Sequence, residues 1–215
     1  MTGSNRSSVI SLLSSPYLSY VLTGLLVVAG AASWYGYRAY QQSGQYKGQE
    51  LVLQALELFN KEAFSKTPEW EQVNAICEAG IQQGGSTAVP YLRMIQAQVA
   101  LAQDNKDAAL GYVADAIKSL DSSSPLYYVY KTKYALMNID AQDHKQEGLD
   151  QLAALASDVR NTNRDEAQFY LGLYHWVHDE IGQAKDAWKD LLAVDTSVEH
   201  SSPWARRAQA KVATI

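Results

Sequence analysis

Apolar residues recur at helical spacing through most of this chain. From residue 44 onward they return every three or four positions, as in the stripe Leu110, Val113 and Ile117. Such spacing places them on one face of an α-helix, whereas a strand needs alternation of period two, of which we find no sustained stretch. Breakers such as Gly84–Gly85 and Ser122–Pro125 separate the stripes. The pattern therefore predicts an all-α fold of short helices that pack as antiparallel pairs.

Internal repetition gives that array a more specific form. Near the end of the chain, Gly172 precedes Ala184 by 12 residues, and Trp188 follows Ala184 by four. A tetratricopeptide repeat (TPR), a helix–turn–helix of about 34 residues, needs small residues where its two helices cross. We therefore predict a TPR-like helical array capped by a helix that begins at Pro203. Two earlier units repeat the spacing, the second with one extra turn residue: Ala97, Ala109 and Val113, then Ala135, Gly148 and Leu152.

A different pattern occupies the start of the chain. The 21 residues from Tyr17 to Tyr37 carry no charge, and a helix of that length is about 31 Å long, which matches the hydrocarbon core of a bilayer. Aromatic rings, which prefer headgroup depth, flank the run at both ends. We therefore predict an N-terminal tail at 1–16, a transmembrane helix at 17–38, a linker at 39–48 and the helical domain at 49–215. The predicted membrane-anchor residues are Tyr17, Tyr20, Trp34, Tyr35, Tyr37 and Arg38.

The apolar start has an alternative interpretation as a cleaved signal peptide. Ala29–Ala31 supplies the small residues that a cleavage site requires. Only Arg6 precedes the run, however, and the apolar stretch continues past that site to Trp34. We therefore favour an uncleaved anchor in contact with membrane lipid. Arg6 on one side, and Arg38 with Lys47 on the other, leave the orientation undetermined by the positive-inside rule.

The net charge and the cysteine content exclude some classes of partner and of covalent crosslink. The chain has a net charge of −5, and after Arg38 it carries 16 basic residues against 23 acidic ones, or −7. An acidic domain without a Lys/Arg cluster predicts no nucleic-acid partner. Cys77 is the single cysteine and shares an apolar stripe with Trp70 and Val73. We therefore expect no internal disulfide and a packing role for this thiol.

Catalytic motifs are missing from the sequence. It contains no Gly-rich phosphate loop, nucleophile elbow or paired Cys motif, so we expect no enzyme activity, cofactor or small-molecule substrate. His175 and His178 lie three residues apart and Asp179 follows them, a spacing that metal ligands use. The repeat register places His175 between helices and His178 at a turn. We therefore favour structural roles over a metal site for both.

The chain resembles a known family, the single-span ancillary subunits of the bacterial Sec translocon, whose periplasmic domain is TPR-like. Besides the apolar span, the likeness rests on Trp34, Arg38, Tyr40, the segment Ala184–Trp188 and a final helix ending in Ile215. It implies a single-pass bacterial inner-membrane protein with its C-terminal domain in the periplasm. The implied partners are the Sec translocon, periplasmic chaperones and exported polypeptides. The alternative is a cell-envelope scaffold that organises a division or wall-assembly complex.

The first helix of each repeat supplies the candidate contact surface. Its inward positions would line a groove, where large apolar and aromatic groups suit a bound polypeptide. In a short, tightly wound array the same residues would instead bury one another or receive the terminal helix. The sequence favours this second arrangement without excluding the first. The predicted groove residues are Tyr91, Met94, Gln98, Leu136, Phe169, Leu173 and Trp176.

Overall fold

The computed structural model describes residues 46–83, 85–194 and 202–213. Within those ranges the regular structure is entirely helical and no strand occurs, so the all-α prediction is confirmed. A 3₁₀ turn at Gln142–His144 precedes the helix that begins at Lys145. The helices are α1 Tyr46–Ala63, α2 Trp70–Gln83, α3 Val89–Ala102, α4 Lys106–Lys118, α5 Pro125–Asp140, α6 Lys145–Ser157, α7 Arg164–Val177, α8 Ile181–Ala187, α9 Lys189–Leu192 and α10 Pro203–Val212.

The helices form repeating pairs within two compact units. One unit ends at Asp121 and contains α1 to α4, and the other begins at Ser122 and contains α5 to α10. In the first unit α1 packs on α2 and α3 on α4; in the second, α5 packs on α6 and α7 on α8. Short turns make the members of each pair antiparallel. The repeating pairs agree with the TPR-like pattern of the sequence, which did not predict the boundary at Asp121.

The turns inside two of the pairs are equivalent residue for residue. Asp104 ends the turn after α3 with φ +58°, and Asp179 ends the turn after α7 with φ +64°. Each follows the small crossing residue of its helix, Ala97 or Gly172, by seven positions. The next backbone N–H then bonds to the carbonyl five residues earlier in both turns, at 2.8 and 2.9 Å. This left-handed helix ending is favourable for Asp, and its recurrence supports the repeat register.

Each unit has its own apolar core. In the first, α1, α2 and α3 bury a cluster in which the rings of Phe59 and Trp70 lie 5.5 Å apart. In the described residues of the second unit two such clusters are present. One joins α5, α6 and α7 around Ala135, Leu152 and Ala167. The other joins α7 through α10, and it contains three of the seven predicted groove residues.

Helix α6 crosses α5 at a glycine. A Cβ placed on Gly148 would lie 2.6 Å from both Ala135 O and Ile139 N, which are main-chain atoms of α5. Real Cβ atoms do not approach backbone so closely, so the two helices would have to separate to admit a side chain. Ala135 opposite the crossing is fully buried. The spacing of Ala135 and Gly148 therefore marks a true close crossing.

Replacing Gly148 by alanine should lower the free energy of unfolding by about 1–3 kcal/mol, because it overpacks this crossing. Gly111 on α4 is the matched control, since it is exposed and a Cβ there meets nothing within 4 Å. Gly111→Ala should raise stability by about 0.5–1 kcal/mol through helix propensity alone. Urea unfolding followed by far-UV circular dichroism measures both. Shifts of the same sign would contradict the crossing geometry.

The predicted tail, transmembrane helix and six anchor residues lie outside the described residues. No helix in the described ranges has the length and apolarity needed to cross a membrane. The first described helix begins at Tyr46, three residues before the predicted start of the helical domain at 49. At the other end, α10 closes at Val212 rather than at Ile215. The membrane anchor therefore remains a prediction.

Candidate polypeptide-binding surface

Three of the predicted groove residues come together on one face of α7. Phe169, Leu173 and Trp176 follow the i, i+4, i+7 spacing that aligns side chains along a helix. Phe169 and Leu173 are buried, and Trp176 is partly buried. All three belong to the cluster that includes Trp188 and Leu191. The repeat register therefore placed them on a common surface.

Trp188 is buried beneath this surface and packs directly on Phe169. Its indole Nε1 donates a hydrogen bond of 2.9 Å to the carbonyl of Phe169, and its ring stacks on the Phe169 ring with centroids 6.1 Å apart. The absence of a side chain at Gly172 makes this approach possible, because a Cβ there would lie 2.5 Å from Trp188 Cδ1. The small residue on α7 thus makes room for the large residue that follows α8.

Helix α10 covers the same face of α7. Ala205 and Ala208 of α10 are fully buried in the cluster. The Trp204 ring lies 5.3 Å from that of Phe169, and the Lys211 ammonium lies 4.5 Å above the Trp176 ring. Of the two arrangements that the sequence left open, the structure shows these α7 residues in contact with the terminal helix.

The other groove residues lie elsewhere. Leu136 packs against the cluster around Leu152, apart from the α7 residues. In the first unit Tyr91 is partly buried against the core, and this burial raises the pKa of its phenol. Met94 and Gln98 are only 3% and 2% exposed. The seven predicted residues thus divide among three places, and their role in polypeptide binding remains a prediction.

Gln98 is an unusual buried group. Its Oε1 atom is enclosed, yet no hydrogen-bond donor among the described residues reaches it. Most buried polar atoms in native proteins are paired. Nearby on α3, Arg93 Nη1 donates to Glu78 Oε1 at 2.9 Å and to Gln96 Oε1 at 2.7 Å. The described part of the first unit therefore combines a polar network between α2 and α3 with two unsatisfied amide oxygens, those of Gln98 and Asn74.

The two neighbouring histidines have structural partners. His175 Nδ1 lies 2.6 Å from Glu180 Oε2, and His178 Nδ1 lies 2.7 Å from the carbonyl of Tyr174. The His178 ring also stacks on Tyr174 with centroids 4.2 Å apart. Across the part of the chain that the structure describes, no three His, Cys, Asp or Glu side chains are grouped to hold a metal ion. These contacts support structural roles for both histidines.

The single thiol is a core group. Cys77 is fully buried between Val73 and neighbouring apolar residues of the first unit. Burial, with a smaller contribution from the Glu78 carboxylate, raises the pKa of the thiol to about 12. Only a deprotonated thiol is a good nucleophile or metal ligand. The environment of Cys77 therefore opposes thiol chemistry at neutral pH.

Two polar contacts in the second unit were not predicted. Lys133 on α5 pairs with Glu166 on α7 at 2.5 Å, with both side chains nearly buried. Tyr128 donates to Asp158 at 3.3 Å, and Arg160 donates to the same carboxylate. These bonds from Arg160 hold the pKa of Asp158 below its ordinary value. Sequence gave no signal for either contact, since charges spread along helices are usually solvated.

Comparison with known proteins identified no relative of this chain. No protein-family model, curated protein or solved structure matches this chain. The function is therefore argued from the residues and their geometry.

Proposed function

We propose that this chain is a membrane-anchored, TPR-like interaction protein that holds a helical repeat domain close to a membrane-embedded partner. The repeated helix pairs support the interaction role, because stacked pairs of this kind present extended surfaces to other polypeptides. The uncharged segment from Tyr17 to Tyr37 supports the anchor. Anchoring raises the local concentration of the domain near its partner, so weak contacts suffice.

The specific form of the proposal is an ancillary factor of the Sec translocon. The anchor lies in the bacterial inner membrane, and the domain extends into the periplasm, where it meets exported polypeptides or periplasmic chaperones. The observation that carries the polypeptide-binding part is the row of large side chains on α7, Phe169, Leu173 and Trp176, together with Tyr91 on α3. Support for the translocon comes from the sequence resemblance alone.

Two measurements test this proposal in bacterial cells that produce the protein. Under the proposal, alkaline washing leaves the full-length chain in the membrane fraction, and external protease digests the domain only after the outer membrane is opened. Release of the intact chain by alkali contradicts the anchor. In parallel, a photocrosslinking amino acid replaces Tyr91 or Trp176, with exposed Phe64 as the control position.

Crosslinks from Tyr91 or Trp176 to translocon subunits, periplasmic chaperones or exported chains, but not from Phe64, would support the proposal. Crosslinks only to division or wall-assembly proteins would instead support the scaffold alternative. Since all three positions carry aromatic rings in the native chain, the substitutions change side-chain volume modestly.

A further inference from the structure

The surface that the proposed function assigns to polypeptide binding already has an occupant. Phe169, Leu173 and Trp176 were selected from the repeat register as contact residues, and all three pack in the cluster that receives α10. A partner that contacts these side chains through the same face must therefore take the place of α10. Binding of a partner to this face therefore depends on whether α10 can leave it.

Helix α10 contributes two small residues and one large ring to this contact. Ala205 and Ala208 are fully buried, and the partly buried Trp204 ring packs on the rings of Phe169 and Tyr170. No side chain caps its N-terminus. A helix of 10 residues is not stable alone in water, so its order depends on the surface that it covers. A longer partner helix that buries comparable side chains would therefore compete with α10 for this surface.

The chemistry of α10 indicates which helix fits this surface. Arg206, Arg207 and Lys211 give it three positive charges, and it contains no acidic residue. The Lys211 ammonium lies 4.5 Å from the ring centroid of Trp176 on α7, whereas Arg206 and Arg207 are exposed on α10. A cation over an indole face is favourable because the face of the ring is electron-rich. The surface therefore suits an amphipathic helix that places a cationic side chain over Trp176 and keeps further positive charges on its exposed face.

We propose that α10 occupies the polypeptide-binding surface in cis and that a cationic amphipathic helical segment of a partner polypeptide displaces it. This inference rests on the proposed function, for which it names a partner chemistry and a means of regulation. With α10 bound, the aromatic surface is hidden from indiscriminate apolar contacts. With α10 displaced, Phe169, Leu173 and Trp176 become available to the incoming helix.

The competing explanation is a permanent cap, because helical arrays need a terminal helix that covers the last pair. The two explanations differ in one respect. A permanent cap leaves only when the unit unfolds, whereas a displaceable occupant leaves while α7, α8 and α9 stay folded. The experiment below distinguishes them.

Ala208→Asp in the full-length chain places a charge where α10 meets the aromatic surface. Ala210→Asp is the matched control, since Ala210 lies on the same helix but is exposed. The probe is a fluorescein-labelled peptide of residues 202–213, measured by fluorescence anisotropy. Ala208→Asp should bind this peptide at least tenfold more tightly than the unmodified chain or Ala210→Asp, because its own α10 no longer competes well.

Hydrogen exchange with mass spectrometry supplies a second readout that needs no variant. In the unmodified chain, amides of α10 should exchange at least tenfold faster than those of α7. In Ala208→Asp the exchange of α10 should rise further while α7 stays protected. Exchange of α10 and α7 at one common rate, unfolding of the unit in Ala208→Asp, or absence of peptide binding to that variant would each overturn the proposal.

Failure of this inference can be told apart from failure of the proposed function, since the peptide assay uses no translocon, chaperone or exported chain. Peptide binding without any cellular crosslink from Trp176 would refute the function but retain the displaceable helix. Crosslinks from Trp176 of equal strength in the unmodified chain and in Ala208→Asp would retain the function and refute displacement.

Discussion

Replacing Trp188 by alanine should destabilise the second unit by about 3–5 kcal/mol, the usual loss for a large ring removed from a core. Trp188 is 0% exposed and makes two contacts with α7. Its ring stacks on Phe169, and its indole N–H donates a hydrogen bond to the Phe169 carbonyl. The cavity would open beneath Gly172, which has no side chain to fill it. Urea unfolding followed by circular dichroism measures the loss.

Two variants separate the contributions at this position. Trp188→Phe keeps an aromatic ring but removes the indole N–H, so it should lose about 1–3 kcal/mol from reduced packing and the missing bond. Lys185→Ala, on the exposed face of α8, should stay within about 0.5 kcal/mol of the parent chain. A loss below about 1 kcal/mol for Trp188→Ala would show that the ring is not central to this core.

The spacing of small and large residues predicted this part of the fold well. Two helices can cross closely only where one of them lacks a bulky side chain. The order of the small residues Gly172 and Ala184 and the large residue Trp188 therefore predicts where the helices of this pair cross. The same logic located Ala135 and Gly148, although a 3₁₀ turn lengthens that pair. These contacts are visible in sequence because their partners lie in one helix pair at fixed spacings, 12 residues from Gly172 to Ala184 and four from Ala184 to Trp188.

For the candidate surface the sequence favoured a covered arrangement over an open groove, but it could not identify the contacts that cover it. An apolar face on α7 looks identical in sequence whether it is open to a client or covered by a later helix. Its cover, α10, begins at Pro203, and nothing in the periodicity of α7 records that contact. Phe169 and Leu173 share one cluster with α10, as the favoured arrangement expects, but their contact with Ala205 and Ala208 is known only from the tertiary structure.

The ion pair between Lys133 and Glu166 shows the same limit for charged residues. Thirty-three positions separate the two, and they lie on different helices, α5 and α7. In the folded unit their side chains are only 13% and 7% exposed, and Asn163 also donates to the Glu166 carboxylate. Lys133 lies 5.5 Å from the Tyr170 ring as well. Only the packing of α5 against α7 brings these groups together.

Lys133→Met should therefore lower the free energy of unfolding by about 3–5 kcal/mol, because it leaves the Glu166 carboxylate buried without its cation. The double variant Lys133→Met/Glu166→Met should recover most of that loss, since a buried ion pair and an apolar pair of similar volume are close in stability. Lys131→Met on the same helix is the control; Lys131 lies only over the Tyr127 ring, so its loss should stay below about 1 kcal/mol. A double variant as unstable as Lys133→Met would indicate that the lysine stem packs the interface and that its charge is not what matters.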